Sequence, residues 1–504
     1  MDNSRRWGWS NPPFTHEKLC CVWAATRGLL TLVLLLTTGG WMSPVVAFAA
    51  PADGAIFDIT WSASCQTPPA EAVTALDYAA GLWGTWISST VPIEVRACWK
   101  SDLGSGVLGT GMPAGYIRNF PHAPQVNTAY PRALANALSG SDLHPELGDI
   151  RLEFNANLTW SFATTTPGGG NDFVAVALHE LAHGLGFIGN LYVSHNTGFC
   201  GDGPFGSLYP CPTIYDRFAV DSDNIALFSY LPGDPYALAA RLKSDANFGG
   251  PNTRVANAGM AAKLYTPAYW QQGSSFSHLD QATFESGENR LMTPSYSSAR
   301  HPGPVTLGIM QDMGWLRVDG VPNVVTSGSR IVGVGTATPF TGTLLWDGYT
   351  GQSITYTWTT AEMTATRPGL SAADVISVTW DAPGEKSLIL TATDGESSAS
   401  AVRSMLAFAA SVDGPAEGKT DRAYAFTANV TLDGYPVTYT WEATGQSPVT
   451  SGDNSVTFTW PVSGTQTITV TAVIEGAQTQ AVHTITLEET VYRYLYLPLV
   501  QRTF

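Results

Sequence analysis

His179-Glu180-Leu181-Ala182-His183-Gly184-Leu185-Gly186-Phe187 is the stretch around which this 504-residue chain is organised. On an α-helix, residues four apart stack on one face, so His179 and His183 present their imidazoles to the same point. Glu180 follows the first histidine and is placed to take a proton from a water held by a metal ion there. The flanks agree with a helix. Pro167 to Gly170 reads as a Gly-rich loop, Asn171 or Asp172 as the N-cap, and Phe173 to Leu178 as an apolar run suited to burial. A buried helix with two histidines and a glutamate needs partners for them, because unpaired buried polar groups are costly. The bland alternative is a pair of hydrogen-bonded core histidines.

A catalytic Zn²⁺ commonly has three protein ligands and one open position. In short-spaced metzincins the third is a histidine six residues after the second, in HExxHxxGxxH; here that position is Gly189. Gly186 is retained, where a glycine lets the chain leave the helix at positive φ. The remaining candidates are His195 in a predicted loop, Asp216, His278, His301 after a Ser-rich turn, and Glu285 or Glu288. No glutamate lies between Glu180 and Glu285, which weakens a glutamate ligand. His122 and His144 fall in Pro-containing loops and read as surface residues.

The wider pattern carries a resemblance. The helix His179 to Phe187 is followed by a long insertion and then by Ser277-His278. Next come Leu291-Met292-Thr293-Pro294 and Leu307-Gly308-Ile309-Met310-Gln311-Asp312-Met313-Gly314-Trp315. Over residues 149–316 this resembles the leishmanolysin-type metzincins, in which an inserted segment precedes the third histidine and a Met-turn follows it. The resemblance implies His179, His183 and His278 as Zn²⁺ ligands, Glu180 as general base and Met292 as the Met-turn residue. Bacterial proteins with HExxHGLGF helices form a looser group to which the chain is also similar. Tyr296, four residues after Met292, reads as packed or exposed rather than catalytic, although a hydrogen bond to a developing oxyanion is the other reading.

Composition sets the compartment. Arg5, Arg6, Lys18 and Arg27 precede the apolar run Gly28 to Leu36, and Ala47-Phe48-Ala49 offers a small-x-small cleavage site, the layout of a secretory signal over 1–49. The apolar run is short and broken by Thr37 to Gly40, so stable membrane insertion after signal cleavage is not expected. The whole chain has 25 Lys and Arg against 41 Asp and Glu; removing those four basic residues with Asp2 and Glu17 takes the net charge from −16 to −18. Such a surface argues against nucleic acid and anionic membranes. Scattered acidic loops are compatible with Ca²⁺, but no intact Ca²⁺ loop motif occurs. Cys20 and Cys21 fall in the signal, leaving Cys65, Cys98, Cys200 and Cys211. Proximity pairs Cys65 with Cys98 and Cys200 with Cys211, and export makes both disulfides reasonable. No CxxC spacing supports a cysteine metal site.

Beyond residue 322 the character changes to Thr/Val alternation. Thr355-Tyr356-Thr357-Trp358 recurs as Thr438-Tyr439-Thr440-Trp441, and Ser377-Val378-Thr379-Trp380 as Thr457-Phe458-Thr459-Trp460. Two repeats of short alternating strands predict two β-sandwiches, with the repeated tryptophans in their cores. They resemble polycystic-kidney-disease-like (PKD) and other immunoglobulin-like modules, which implies cell-surface or polysaccharide contact. The tail from 489, with Tyr492-Arg493-Tyr494-Leu495-Tyr496-Leu497-Pro498, resembles the ends of exported bacterial proteins and reads as a sorting segment or a last strand.

The expected architecture is therefore a signal (1–49), an α+β metzincin-like catalytic domain (50–319), two all-β immunoglobulin-like sandwiches (322–408 and 409–488) and a tail (489–504). Within the catalytic domain, Ala70 to Trp86 reads as a helix. Asp149 to Asn155 alternates as a half-buried strand, whose edge is expected to hold an extended peptide. The expected activity is that of a secreted or cell-surface zinc endopeptidase acting on protein or peptide. The rival is a secreted adhesion protein with an inactive metalloprotease-like domain, against which the intact Glu180 argues.

Overall fold

The structure, a computed structural model, describes residues 54–104, 106–201, 210–231, 233–346, 353–369 and 372–490. The predicted signal and nearly all of the predicted tail lie outside the described residues. No helix among the described residues is long and apolar enough to cross a membrane.

The N-terminal part is built on a four-stranded sheet of β1 (Phe57–Trp61), β2 (Ile93–Lys100), β3 (Gly109–Pro113) and β4 (Ile150–Asn155), in the order β1-β2-β4-β3. β1, β2 and β4 run parallel, while β3 is antiparallel to β4, with Gly111 opposite Leu152. Alternation in β4 buries Ile150, Leu152 and Phe154, as a period of two requires. The helices Ala70–Gly84 and Phe173–Gly184 share one core with the sheet. They are tied by the buried Trp83 Nε1, which donates to the Leu178 carbonyl at 3.1 Å.

One expectation is corrected here. The strand at 150–155 is interior, with β2 on one side and β3 on the other, so it offers no free edge. One of the two sheet edges belongs to β3. Its sequence, Gly109-Thr110-Gly111-Met112-Pro113, carries little strand signal because glycine and proline are depleted in strands. Tertiary packing overrides that preference: a Cβ at Gly111 would stand 2.0 Å from the Glu180 carbonyl oxygen, so only glycine lets β3 lie directly on the site helix.

Downstream of the site helix the chain forms short elements: the hairpin 191–194 with 197–200, the helices Ile214–Arg217, Pro235–Leu242 and Pro251–Ala256, and a small sheet of 219–220, 247–248 and 262–263. The helix Gly303–Met313 closes this part, and Trp315 Nε1 donates to the Leu185 carbonyl at 3.0 Å, tying the closure to the exit of the site helix. Cys65–Cys98 and Cys200–Cys211 are both disulfide-bonded, with Cα atoms 5.6 and 5.5 Å apart.

Two β-sandwiches follow with the same plan. The first pairs a three-stranded sheet (323–328, 338–345, 373–378) with a five-stranded one (331–333, 398–408, 384–393, 354–359, 364–369). The second repeats it with 410–413, 423–430 and 455–459 against 417–419, 477–488, 464–474, 438–443 and 449–451. Trp358, Trp380, Trp441 and Trp460 are all buried in the cores, which is why the tryptophans recur with the repeat.

A substitution tests the β3 contact. Gly111→Ala sets a methyl group against backbone that cannot give, and overpacking of this kind costs about 1–3 kcal/mol. It is expected to lower the unfolding midpoint of the N-terminal part. Gly106→Ala, whose Cβ meets nothing within 4 Å, is expected to leave it unchanged.

Candidate metal centre

The site helix starts at Phe173 because Asp172 caps it, its carboxylate accepting the Ala175 N–H at 3.3 Å. Asp172 is 1% exposed, and Arg300 holds it with a two-pronged ion pair, Nε to Oδ2 at 2.7 Å and Nη2 to Oδ1 at 2.8 Å. Arg300 also donates to the carbonyls of Ala163 and Thr165, which ties the loop before the helix to the loop after Met292.

The structure brings His179, His183 and His278 together. Their Nε2 atoms are 3.1, 3.1 and 3.2 Å apart, a nearly equilateral triangle. Each Nδ1 faces a backbone carbonyl: Leu291 at 2.7 Å from His179, Phe187 at 2.7 Å from His183, and Ser274 at 2.8 Å from His278. A carbonyl only accepts, so each Nδ1 carries the proton and each Nε2 is left as an acceptor. Three acceptor lone pairs therefore converge, and the fold alone supplies no donor between them. Burial pushes the His179 and His183 pKa values down, and that of His278 down to about 3 with help from the neighbouring His179. The rings are thus kept neutral, the form that ligates a metal.

This donor set fits Zn²⁺. Nitrogens 3.1–3.2 Å apart suit an ion roughly 2.0–2.1 Å from each, and three histidines leave a fourth tetrahedral position without a protein ligand. Among the described residues, one other trio of potential ligands converges, Cys200, Cys211 and Asp216, but its cysteines are joined to each other. Asp216 there accepts from the Thr213, Asn190 and Leu191 N–H groups. No set of three carboxylates converges to support the Ca²⁺ expectation among the described residues.

The other third-ligand candidates stand apart from this triangle. His195 is exposed beside Ser194, His301 is exposed against Trp86, and Glu285 and Glu288 are exposed. His144 is exposed beside Glu146, and His122 is also exposed. Position 189 is closed to any side chain, because a Cβ there would meet the Phe276 ring at 2.1 Å. Gly186, at φ +117°, turns the chain so that the Phe187 carbonyl comes back under His183.

Met292 is fully buried at the end of the 3₁₀ turn Glu288–Met292. Its carbonyl accepts the Leu279 N–H at 2.8 Å, while the adjacent Leu291 carbonyl faces His179. This turn therefore holds two of the three histidine-bearing segments.

Glu180 is 7% exposed, and burial pushes its carboxyl up to about 8 against the opposing hydrogen bond from the Gly111 backbone. With the three histidines it borders a cleft of about 440 Å³, walled by Gly109 and Thr110 of β3 and by Thr293 to Ser297. Among the described residues, the ionisable side chains lining it are the three histidines, Glu180 and Tyr296. The Tyr296 hydroxyl accepts the Asp172 N–H at 2.8 Å. Tyr296 is exposed, lines the same cleft as the histidines, and is anchored at the start of the site helix by this bond. Arg300 and the three carbonyls went unread in the sequence: a lone arginine has no motif, and carbonyl partners leave no residue signature.

No protein-family model matches the sequence, and no curated protein matches it. Solved structures that match include the fibronectin(III)-like modules of Clostridium thermocellum CbhA, 12% identical, covering 34% of this chain and all of that one, at a TM-score of 0.18. The PKD domain of human KIAA0319 is 13% identical over 18% of this chain and 88% of that one, at 0.15. The PKD domain of an M14-like peptidase from a Thermoplasmatales archaeon is 22% identical over 17% and 92%, also at 0.15. TM-scores this low carry no weight for the fold, and the two sandwiches stand on their own strand order.

The Arg300–Asp172 pair generates a prediction. Arg300→Ala leaves a buried carboxylate without its cation, a change that costs about 3–5 kcal/mol. The unfolding midpoint of the N-terminal part is expected to fall accordingly. Arg300→Lys restores only part of it, since a lysine cannot reproduce the planar fork.

Proposed function

We propose that this chain is a secreted zinc-dependent endopeptidase of metzincin-like type, with His179, His183 and His278 as ligands. The observation that supports it most strongly is the triangle of three converging lone pairs beside a buried glutamate in an open cleft. Zn²⁺ bound there supplies a Lewis acid and lowers the pKa of a bound water towards neutrality.

The chain's own residues supply the rest. Glu180 takes a proton from the attacking water and returns it to the leaving amine; it directly follows the ligand His179 and borders the same cleft. β3 is one of the two edge strands of the sheet and borders the cleft through Gly109 and Thr110, so an extended peptide pairs along it as an added strand. With no lysine, arginine or aspartate among the described residues lining the cleft, the side chains flanking the cut bond are expected to be uncharged.

The test is digestion of a mixed peptide library by the mature chain beside Glu180→Ala. Loss of the general base is expected to lower the rate by about 10²–10⁴-fold. Chelation is expected to abolish cleavage and added Zn²⁺ to restore it. His278→Ala is expected to lose stoichiometric zinc. A wild-type chain that binds zinc and cuts nothing in the library moves the reading to the adhesion protein with an inactive site. Tight stoichiometric zinc in His278→Ala removes His278 from the ligand set.

A further inference from the structure

Beneath the histidines lies the four-residue helix Ile214–Arg217, contributed by the long segment between His183 and His278. Its Tyr215 is completely buried. The ring packs on Phe187 at 5.5 Å between centroids and edge-on to Phe276 at 5.7 Å. Its hydroxyl donates to the Phe276 carbonyl at 3.1 Å.

These two neighbours are not arbitrary. Phe187 carries the carbonyl that faces His183 Nδ1. Phe276 stands two residues before His278 and has φ +70°. That left-handed conformation is disfavoured for a bulky residue and persists only where the surroundings impose it. Phe276 is held from both sides, its N–H donating to the Tyr265 carbonyl at 2.8 Å and its carbonyl accepting from Tyr215. A second tie joins the exit of the site helix to the His278 loop, because Gly189 N–H donates to Ser277 Oγ at 3.2 Å.

We propose that Tyr215 is a positioning residue for the third histidine: it holds Phe276 in its left-handed conformation and thereby presents His278 Nε2 to His179 and His183. The inference rests on the metal-binding reading of the three histidines. Tyr215 itself touches neither metal nor substrate. The short-spaced arrangement needs no such residue, because its third histidine leaves the helix directly. Here 94 residues separate His183 from His278, and something outside the local sequence has to set the angle at which the chain returns.

The experiment compares the mature wild-type chain with Tyr215→Phe, which keeps the ring and removes one hydroxyl, and with Tyr130→Phe. Tyr130 is an equally buried tyrosine of the same core whose hydroxyl accepts the Gln125 N–H, so it controls for loss of a buried hydroxyl. Zinc affinity is measured by chelator competition, ligand geometry by the visible spectrum of the Co²⁺-loaded protein, and fold stability on the metal-free protein. Tyr215→Phe is expected to bind zinc about 10–100-fold more weakly, as loss of outer support around a ligand does, and to shift the Co²⁺ bands. Tyr130→Phe is expected to keep wild-type affinity and spectrum even where its metal-free stability falls. Wild-type affinity and spectrum in a folded Tyr215→Phe overturn the proposal. If that variant does not fold, Ser277→Ala probes the same joint: weakened zinc binding supports the proposal and unchanged binding overturns it. If the wild-type chain itself binds no zinc, the metal reading fails and this proposal fails with it.

Discussion

Three neutral imidazoles whose acceptor nitrogens face one another at 3.1–3.2 Å are the constraint on which the N-terminal part depends. Converging acceptor nitrogens of this kind suit a shared cation. Each ring is gripped from behind by a carbonyl at 2.7–2.8 Å. Those carbonyls come from three different places: the turn before Met292, the exit of the site helix, and the loop before His278. The site is thus assembled by backbone that has no other reason to meet.

Close approach makes that assembly feasible. Added Cβ atoms at Gly111, Gly184 and Gly189 would meet, respectively, the Glu180 backbone, the Ile150 side chain and the Phe276 ring, all within 2.4 Å. Strand, helix and returning loop therefore pack at distances that only hydrogen side chains allow. Asp172 and Arg300 close the opposite end, fixing the start of the helix to the segment after the Met292 turn. The same segment carries Tyr296 and one wall of the cleft, so the helix cap and the cleft share a support.

The first sandwich is joined to the N-terminal part by specific buried bonds. The Asn252 amide donates to the Ser400 carbonyl and accepts the Ser400 N–H, both at 2.9 Å, in the manner of a strand neighbour. Asp312 holds Asn252 and Thr253 through four hydrogen bonds, and Ser404 pairs with Val126 and Pro124. Arg217 reaches Glu385 from the helix that carries Tyr215. Between the sandwiches, Arg330 pairs with Glu475 and Thr336 donates to the Gln478 carbonyl. The buried contacts of Asn252, Asp312 and Ser404 fix the docking geometry of the first sandwich, because any other leaves them unpaired.

The sequence by itself determined what short range and periodicity encode. His179, Glu180 and His183 share a helix because spacing of four is a property of any helix, and Asp172 caps it for an equally local reason. The repeated tryptophans marked the sandwich cores, since a repeated fold buries the same positions. The cysteines nearest in sequence are the ones that pair. Tertiary structure decided what depends on contacts between distant segments. It placed β3, a Gly-rich strand with poor local propensity, at the sheet edge and left 150–155 inside. The resemblance named His278, but only the fold shows it beside His179 and His183, with His195, His301, Glu285 and Glu288 exposed elsewhere, because 94 residues of intervening chain set where it returns. Residue identity announces a donor atom, but the direction in which that donor points belongs to the whole fold.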